Sequence, residues 1–367
     1  METIRRNKNE RVLYIRDLNI SFKTAYGTVR AIRGVRLDLF KGETIAIVGE
    51  SGSGKSVTVK TIMGILDSNG VIDSGQIIYH YTDKEGNEQE VDLVKMSQKD
   101  IRYKLCGKHI AMVFQDPMTS LDPTMTVGKQ IMEPMKVHYK LTNEEAKKRA
   151  IELLNEVGID NPDKRFKQYP HELSGGMRQR VVIAIALACD PDILICDEPT
   201  TALDVTIQAK ILELIKDIQN KKGISVIYIT HDLGVVAKVA DYVAVMYAGR
   251  IVEKGKINEV FYDPRHPYTW GLLSSMPDTD TNSRRLFAIP GSPPNLMERV
   301  EGDAFALRNP YALNIDFKEE PPMYDVGGQH RVASWLSDPR APKVELPAEL
   351  IEKLEKMKKE AAINEWN

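Results

Sequence analysis

The feature that most constrains how this chain can fold is the glycine-rich stretch GESGSGKS at residues 49–56. It satisfies the pattern G-x-x-x-x-G-K-[ST], in which backbone N–H groups wrap closely around a phosphate. The preceding run ETIAIV is typical of a buried parallel strand, and the following run VTVKTIMGIL has helical apolar spacing. This context predicts a P-loop nucleotide site. A glycine-rich turn without a ligand is the weaker alternative.

Residues of the loop and of the following helix start are predicted to hold the nucleotide. We expect the Lys55 ammonium to reach the β- and γ-phosphates and the Ser56 hydroxyl to bind Mg²⁺. The helix that follows directs the partial positive charge of its N-terminus at the same phosphates. The predicted nucleotide contacts of this segment are Gly49, Ser51, Gly52, Ser53, Gly54, Lys55, Ser56 and Val57.

Two adjacent carboxylates follow a second apolar run, in the stretch ILICDEPTTALD at residues 193–204. A P-loop site needs an acid at the end of a neighbouring strand to hold Mg²⁺, and Asp197 fits that role. Glu198 has two interpretations at this point. It either orients or deprotonates a water that attacks the γ-phosphate, or it is a surface residue at a strand end.

A third segment, LSGGMRQR at residues 173–180, places a serine and two glycines at the start of an apolar helix. Such a helix start is a second site for an anion, which indicates a nucleotide held from two sides. Ser174 as an ordinary helix N-cap is the alternative.

With these segments the sequence resembles the ATPase subunits of ABC transporters over about residues 12–254. LSGGM resembles the ABC signature, which implies nucleotide contacts from Ser174, Gly175 and Gly176. ILICDEP resembles the Walker B strand, which favours the catalytic role for Glu198. The resemblance assigns further roles to Gln115 in VFQDPMTSLDP (Mg²⁺ and water), His231 in YITHD (γ-phosphate), Tyr26 in AYGTVRAI (adenine) and Asp204 in TALD (the segment at the partner).

The resemblance also implies how the protein works with others. Two ATPase domains pack head to tail, and each ATP lies between the P-loop of one and the signature of the other. Each motif occurs once here, so a second ATPase subunit is expected, a paralogue more than a second copy. Two integral membrane permeases and, indirectly, an extracytoplasmic peptide-binding protein complete the implied importer, with this chain on the cytoplasmic face of the cell membrane.

The C-terminal third resembles the extension found in oligopeptide and dipeptide importer ATPases, through HPYTWGLLSSMP, IPGSPPNL and DAFALRNPYALNIDFKEEPPM. The resemblance implies peptide uptake, with nickel uptake as the alternative. Many relatives carry four cysteines here that bind an iron–sulfur cluster, whereas this chain has Asp303, Asn309, Asp316 and Ser334. Because such a cluster needs thiolates, none is predicted. Packing is expected instead through the aromatic residues Phe305, Tyr311, Phe317 and Trp335.

These patterns predict an α/β fold: a RecA-like P-loop NTPase core with a parallel sheet, an N-terminal antiparallel β subdomain, a helical subdomain and a small loop-rich C-terminal domain. The expected divisions are 1–98 with 176–258, then 99–175, 259–340 and a helical tail at 341–367. Strands are predicted at 12–22, 28–40, 192–197 and 225–230, and a hairpin at 75–94 with its turn at 84–87. Residues 99–173 are expected to be mostly helical, most clearly at 143–159. The tail is expected to be solvated or docked.

Composition limits the other functions open to the chain. The net charge of −2 argues against a basic nucleic-acid-binding face, and the three cysteines read as reduced thiols. No membrane-spanning run and no signal peptide are recognised.

Other functions fit the motifs less well. A soluble ABC protein acting on DNA or ribosomes typically has two ATPase units or a coiled-coil insertion. A P-loop kinase or GTPase has no use for LSGGM. A regulator that only binds ATP is disfavoured because Asp197, Glu198 and His231 are all present.

Overall fold

The computed structural model describes residues 10–83, 86–201, 203–276 and 289–364. Its strands are β1 (Arg11–Thr24), β2 (Gly27–Phe40), β3 (Thr44–Val48), β4 (Gly70–Thr82), β5 (Glu88–Asp92), β6 (Ile110–Val113), β7 (Ile193–Asp197), β8 (Ser225–Thr230), β9 (Tyr242–Tyr247), β10 (Arg250–Lys256), β11 (Tyr324–Gly327) and β12 (His330–Val332). Its helices are α1 (Lys55–Ile62), α2 (Gln98–Lys104), α3 (Pro117–Ser120), α4 (Val127–Tyr139), α5 (Asn143–Glu156), α6 (Pro162–Phe166), α7 (Gly175–Ala186), α8 (Val205–Lys222), α9 (Leu233–Val239), α10 (Ile257–Tyr262), α11 (Pro267–Ser274) and α12 (Ala348–Asn364).

The N-terminal strands form an antiparallel sheet in the order β2-β1-β4-β5, as the alternating sequence predicts. Leu13 and Ile15 of β1 point into the core, and a register shift between Ile15 and Leu18 lets Leu18 and Ile20 do the same. The predicted hairpin is present as β4 and β5. Lys84 and Glu85 of its predicted turn lie outside the described residues.

The central sheet has the order β11-β12-β10-β9-β3-β8-β7-β6 in the part of the chain that is described. Strands β9, β3, β8, β7 and β6 run parallel, and every residue of β3, β7 and β8 is buried. Buried parallel strands read as unbroken apolar runs, which is why ETIAIV, DILICD and SVIYIT were recognisable. The P-loop NTPase fold is confirmed.

Residues 99–173 are mostly helical, as predicted, but several strands were not predicted from the sequence. One of them, β6, lies within this region and pairs in parallel with β7. Its four residues, IAMV, are too short an apolar run to be distinguished from a turn of buried helix. The strands β9, β10, β11 and β12 were also not predicted, although β9 (YVAVMY) is a fully buried apolar run like the strands that were.

The helices between β6 and β7 pack against one another and place the start of α7 at the surface. Helix α5 begins with a capping box, in which Thr142 and Glu145 bond each other's backbone N–H groups. It ends earlier than predicted, at Glu156, because Gly158 turns the chain with a φ of 70°. The division of the chain into domains stays a prediction.

The C-terminal region continues the central sheet. Strand β12 pairs antiparallel with β10, where Val332 lies opposite Glu253. Phe305 is buried as predicted, with its ring centroid 5.3 Å from that of Tyr247. Tyr311 packs on Trp270, and the half-buried Trp335 packs on Tyr324.

The packing role predicted for Phe317 was wrong, because its side chain is 48% exposed. Its neighbour Asp316 takes the buried place in that turn, where its carboxylate accepts the N–H of Leu313.

The tail forms helix α12, which is docked. Leu350 and Leu354 on one face of α12 are buried in the main core cluster, against α10 and α11. Within the described residues, no helix combines the length and apolar character needed to cross a bilayer.

Candidate nucleotide-binding site

The phosphate-binding loop connects β3 to α1, and neighbouring atoms leave no room for a side chain at two of its glycines. Gly49 has a φ of 151°, and a Cβ there would lie 2.1 Å from the Met246 carbonyl oxygen. A Cβ at Gly54 would lie 2.7 Å from Ile32, and Gly54 caps α1 with a φ of 106°. Because no side chain caps α1, the first N–H groups of the helix are left for an anion.

Lys55 and Ser53 supply the polar groups inside the loop. The buried Lys55 Nζ donates to the carbonyl oxygens of Gly49 at 2.7 Å and of Glu50 at 3.0 Å. Burial lowers the pKa of Lys55, and the carboxylates of Glu198, Asp197 and Glu50 oppose this effect. The buried Ser53 Oγ has no hydrogen-bond partner among the described residues. An orphan hydroxyl beside a lysine fits a loop that binds phosphate.

Asp197 and Ser56 form a pair of oxygen donors at the end of β7. The Ser56 hydroxyl donates to Asp197 Oδ1 at 3.1 Å. Burial raises the pKa of Asp197, while the hydrogen bond from Ser56 acts against it. Hydroxyl and carboxylate oxygens are ligands that Mg²⁺ prefers, so the two residues fit the predicted metal role.

Glu198 is held by three side chains that come from different segments. Its Oε2 accepts from Gln115 Nε2 at 3.1 Å and from Thr201 Oγ1 at 3.0 Å, and its Oε1 lies 3.2 Å from His231 Nδ1. Its backbone N–H donates to the Ile229 carbonyl. Glu198 also has a φ of 45°, a strained value for a residue with a side chain. Neighbouring segments thus fix its carboxylate in one place.

Most of these groups line one open cavity of about 670 Å³. It is lined by Ala31, Glu50, Ser51, Gly52, Gly54, Lys55, Ser56, Val57, Gln115, Glu198, Thr201 and His231. The fold therefore brings six of the eight predicted loop residues together with Gln115, Glu198 and His231, whereas Gly49, Ser53 and Asp197 are not among the described residues that line the cavity. Thr201 and Glu50 were not singled out from the sequence, although Thr201 lies in the same ILICDEPTTALD segment and Glu50 in the P-loop.

Other predicted site residues lie outside this cavity. Tyr26 is 91% exposed, and its N–H donates to Thr24 Oγ1. Ser174 caps α7 by accepting the Met177 N–H, and Asp204 caps α8 by accepting the Ile207 N–H. A Cβ added at Gly176 would lie 2.8 Å from Ile207, so the signature packs against the start of α8. Within the described part of one chain, Tyr26, Ser174, Gly175, Gly176 and Asp204 are not among the residues that line the cavity.

Comparison with known proteins agrees with this architecture. Residues 32–201 match the family model of the ABC transporter, and residues 252–315 match that of the oligopeptide/dipeptide transporter C-terminal region. An oligopeptide transport ATP-binding protein of Bacillus subtilis is 59% identical over 95% of each chain. A dipeptide transport ATP-binding protein of Lactococcus lactis is 54% identical over 91% of this chain and 93% of its own.

Among solved structures, a dimeric ATP-binding cassette in a post-hydrolysis state, bound to ADP and phosphate, has a TM-score of 0.57. It is 28% identical and covers 67% of this chain and 98% of its own. The fold and site thus define a P-loop ATP-binding cassette. The chain belongs to the ABC transporter family, in the group of oligopeptide and dipeptide transport ATP-binding proteins.

Proposed function

We propose that this protein is the ATP-hydrolysing subunit of an importer that moves oligopeptides or dipeptides across the cytoplasmic membrane. The two bacterial relatives are named for oligopeptide and dipeptide transport, and they align along nearly the whole chain. The C-terminal match to the same kind of transporter favours peptide over nickel as the cargo. The protein binds at the cytoplasmic face of the membrane, against two integral membrane permeases.

The observation that carries the proposal is the separation of the signature from the nucleotide cavity. The P-loop, Glu198 and His231 line one cavity, whereas Ser174, Gly175 and Gly176 lie at the surface start of α7. A second ATP-binding subunit, a paralogue of this one, brings its own signature to the open side. One related cassette of known structure is a dimer bound to ADP and phosphate, which is consistent with this arrangement. An extracytoplasmic peptide-binding protein delivers the cargo to the permeases.

Each predicted site residue has its own part in the proposed reaction. Lys55 and the N–H groups at the start of α1 bind the phosphates, and Tyr26 stacks on the adenine. Ser56, Asp197 and Gln115 would hold Mg²⁺, which would offset the phosphate charge when bound. Glu198 accepts the proton of the attacking water, and His231 orients the γ-phosphate. Asp204 faces the partner.

Uptake of labelled substrates into lipid vesicles tests which cargo the importer carries. The importer, reconstituted in lipid vesicles with ATP at the face that carries this chain, is expected to take up a labelled peptide. Lys55→Ala, which removes the ammonium from the phosphate site, is expected to abolish that uptake. ATP-dependent uptake of nickel and not of peptides contradicts the proposal. So does failure of the chain to copurify with any permease, which favours a non-transport ABC ATPase.

The C-terminal region is proposed to fold without an iron–sulfur cluster. Its four candidate positions are buried but carry oxygen and amide groups, a donor set that does not fit iron–sulfur chemistry. Each side chain instead accepts a local backbone N–H: Asp303 from Phe305, Asn309 from Tyr311, Asp316 from Leu313 and Ser334 from Leu336. Iron and acid-labile sulfide are expected to be absent from the purified protein, and one cluster per chain contradicts this.

A further inference from the structure

The C-terminal region reaches the phosphate-binding loop through one buried arginine. Arg308 ends a short 3-10 helix, Ala306–Arg308, and its side chain is only 5% exposed. Its NH1 lies 2.7 Å from Glu50 Oε2, and its NH2 lies 3.0 Å from Glu50 Oε1. This two-pronged pair has the strong geometry of an arginine–carboxylate contact. It joins the loop to a residue 258 positions away.

The arginine is held in place from other sides as well. Its Nε donates to the Pro290 carbonyl at 2.8 Å, and its NH1 donates to the Tyr247 hydroxyl at 3.2 Å. The guanidinium also lies 5.7 Å from the centre of the Tyr247 ring and 5.9 Å from that of Phe305. Hydrogen bonding to Glu50 raises the pKa of Arg308 further. The guanidinium is therefore a fixed positive charge.

A second C-terminal residue holds the backbone of the same loop residue. The Glu50 N–H donates to the hydroxyl oxygen of the fully buried Tyr268 in α11, at 2.8 Å. The Glu50 carbonyl, in turn, accepts from Lys55 Nζ. The carboxylate, amide and carbonyl of Glu50 thus form a continuous connection from the C-terminal region to the lysine of the P-loop.

The sign of the charge on Glu50 makes this connection relevant to nucleotide binding. Glu50 lines the same cavity as Lys55 and Ser56, and the charge of its carboxylate acts on the Lys55 ammonium, so a negative charge lies beside the space that a polyanion must occupy. Without a counter-charge, that carboxylate repels phosphate and competes for the Lys55 ammonium. Arg308 supplies the counter-charge from a position where little solvent screens it.

We propose that Arg308 is a positioning residue for ATP binding, which neutralises the Glu50 carboxylate beside the phosphate site, while Tyr268 holds the backbone of the P-loop at Glu50. The C-terminal region then contributes directly to ATP binding through these two residues. This inference rests on the proposed function, because it requires that the cavity binds ATP.

Equilibrium binding of Mg²⁺–ATP to the purified full chain tests the proposal. Arg308→Met is expected to weaken binding about tenfold or more, because it leaves Glu50 unpaired beside the phosphates. Glu50→Gln alone is expected to bind at least as well as wild type. The double variant Glu50→Gln, Arg308→Met is expected to return to within about threefold of wild type.

Arg340→Met is the matched control. Arg340 makes the same two-pronged contact with Asp338, but at the surface of the C-terminal region, and its loss is expected to leave ATP binding unchanged. In the assembled importer, Arg308→Met is expected to raise KM for ATP with little change in kcat.

The outcomes separate the two proposals. Wild-type binding by Arg308→Met overturns the inference and leaves the proposed function intact. Equally weak binding by the double variant also overturns it, since a merely structural bridge gains nothing from removal of the second charge. Absence of ATP binding by the wild-type chain overturns the proposed function and this inference with it.

Discussion

At the scale of single residues, Glu198 combines backbone strain with a fixed side chain. Its φ of 45° is stabilised by the Ile229 carbonyl, and Gln115, Thr201 and His231 hold the carboxylate. Strain of this kind persists where surrounding contacts over-determine the backbone, which is common at functional sites. The carboxylate is thus positioned before any nucleotide arrives.

Glu198→Gln tests whether this carboxylate accepts a proton. The amide keeps the size and an acceptor oxygen but cannot act as a base, so kcat in the importer is expected to fall about 100-fold or more. ATP binding is expected to be retained, because the phosphate contacts lie on other residues. Phosphate release and equilibrium ATP binding measure the two effects. Glu213→Gln on the exposed face of α8 is the control, and unchanged turnover of Glu198→Gln contradicts the assignment.

Asp303 is a second residue of interest, because its buried environment makes the stability of the protein depend on pH. Burial raises the pKa of Asp303 to about 6, and the charge of Asp316 raises it further. The hydrogen bond from the Phe305 N–H and the charge of Arg250 act to lower it. Between about pH 4 and 6 the folded chain therefore holds a proton that the unfolded chain releases. The contribution of Asp303 to the free energy of unfolding is therefore higher below about pH 4, where its carboxyl is protonated, and it falls as the pH rises to about 6 and above.

Asp303→Asn is accordingly expected to stabilise the protein more at pH 7.5 than at pH 4. The asparagine keeps the acceptor for the Phe305 N–H and never ionises, so the difference between the two pH values approaches about 3 kcal/mol at most. Denaturant unfolding of wild type and variant at both pH values measures it, with the exposed Asp160→Asn as control. An equal effect of Asp303→Asn at both pH values contradicts the account.

At the scale of elements, docking of α12 depends on one apolar face. Leu350 is fully buried, whereas its neighbour Ile351 is 42% exposed. Leu350→Ala is expected to lower the free energy of unfolding by about 2–5 kcal/mol through lost burial and a cavity. Ile351→Ala is expected to change it by under about 0.5 kcal/mol. Equal effects in denaturant unfolding mean that the helix is not docked.

Some of the strands and loops could be predicted from the sequence, and others could not. β3, β7 and β8 are unbroken apolar runs, and the P-loop is a contiguous motif, so both could be predicted. Strand β6 could not, because four apolar residues fit a strand or a helix equally well until β7 lies beside them. The exposure of Phe317 was likewise unpredictable, since it depends on Asp316 occupying the buried position of the turn.

At the scale of the whole molecule, contacts between distant segments are what sequence reasoning missed. The Arg308–Glu50 pair joins residues 258 positions apart, and β12 pairs with β10, which precedes it by more than 70 residues. Short sequence motifs do not indicate which distant residues pair with each other. Candidate residues could still be predicted one by one, because each of them belongs to a short motif.

The central claim at this scale is that the nucleotide site is half of a shared site. Its P-loop side is assembled within one chain, and the signature residues are not among those that line the cavity. Because the proposed function takes the missing contacts from a second subunit, hydrolysis is expected to depend on assembly and not on nucleotide binding alone.

Phosphate release per chain, compared between the purified chain at nanomolar concentration and the same chain in the reconstituted importer, tests this claim most directly. Saturating Mg²⁺–ATP is used in both samples. The account predicts ATP binding without appreciable release by the lone chain, and sustained release in the importer. Release by the lone chain at the rate of the importer would contradict it, because one chain would then contain a complete site.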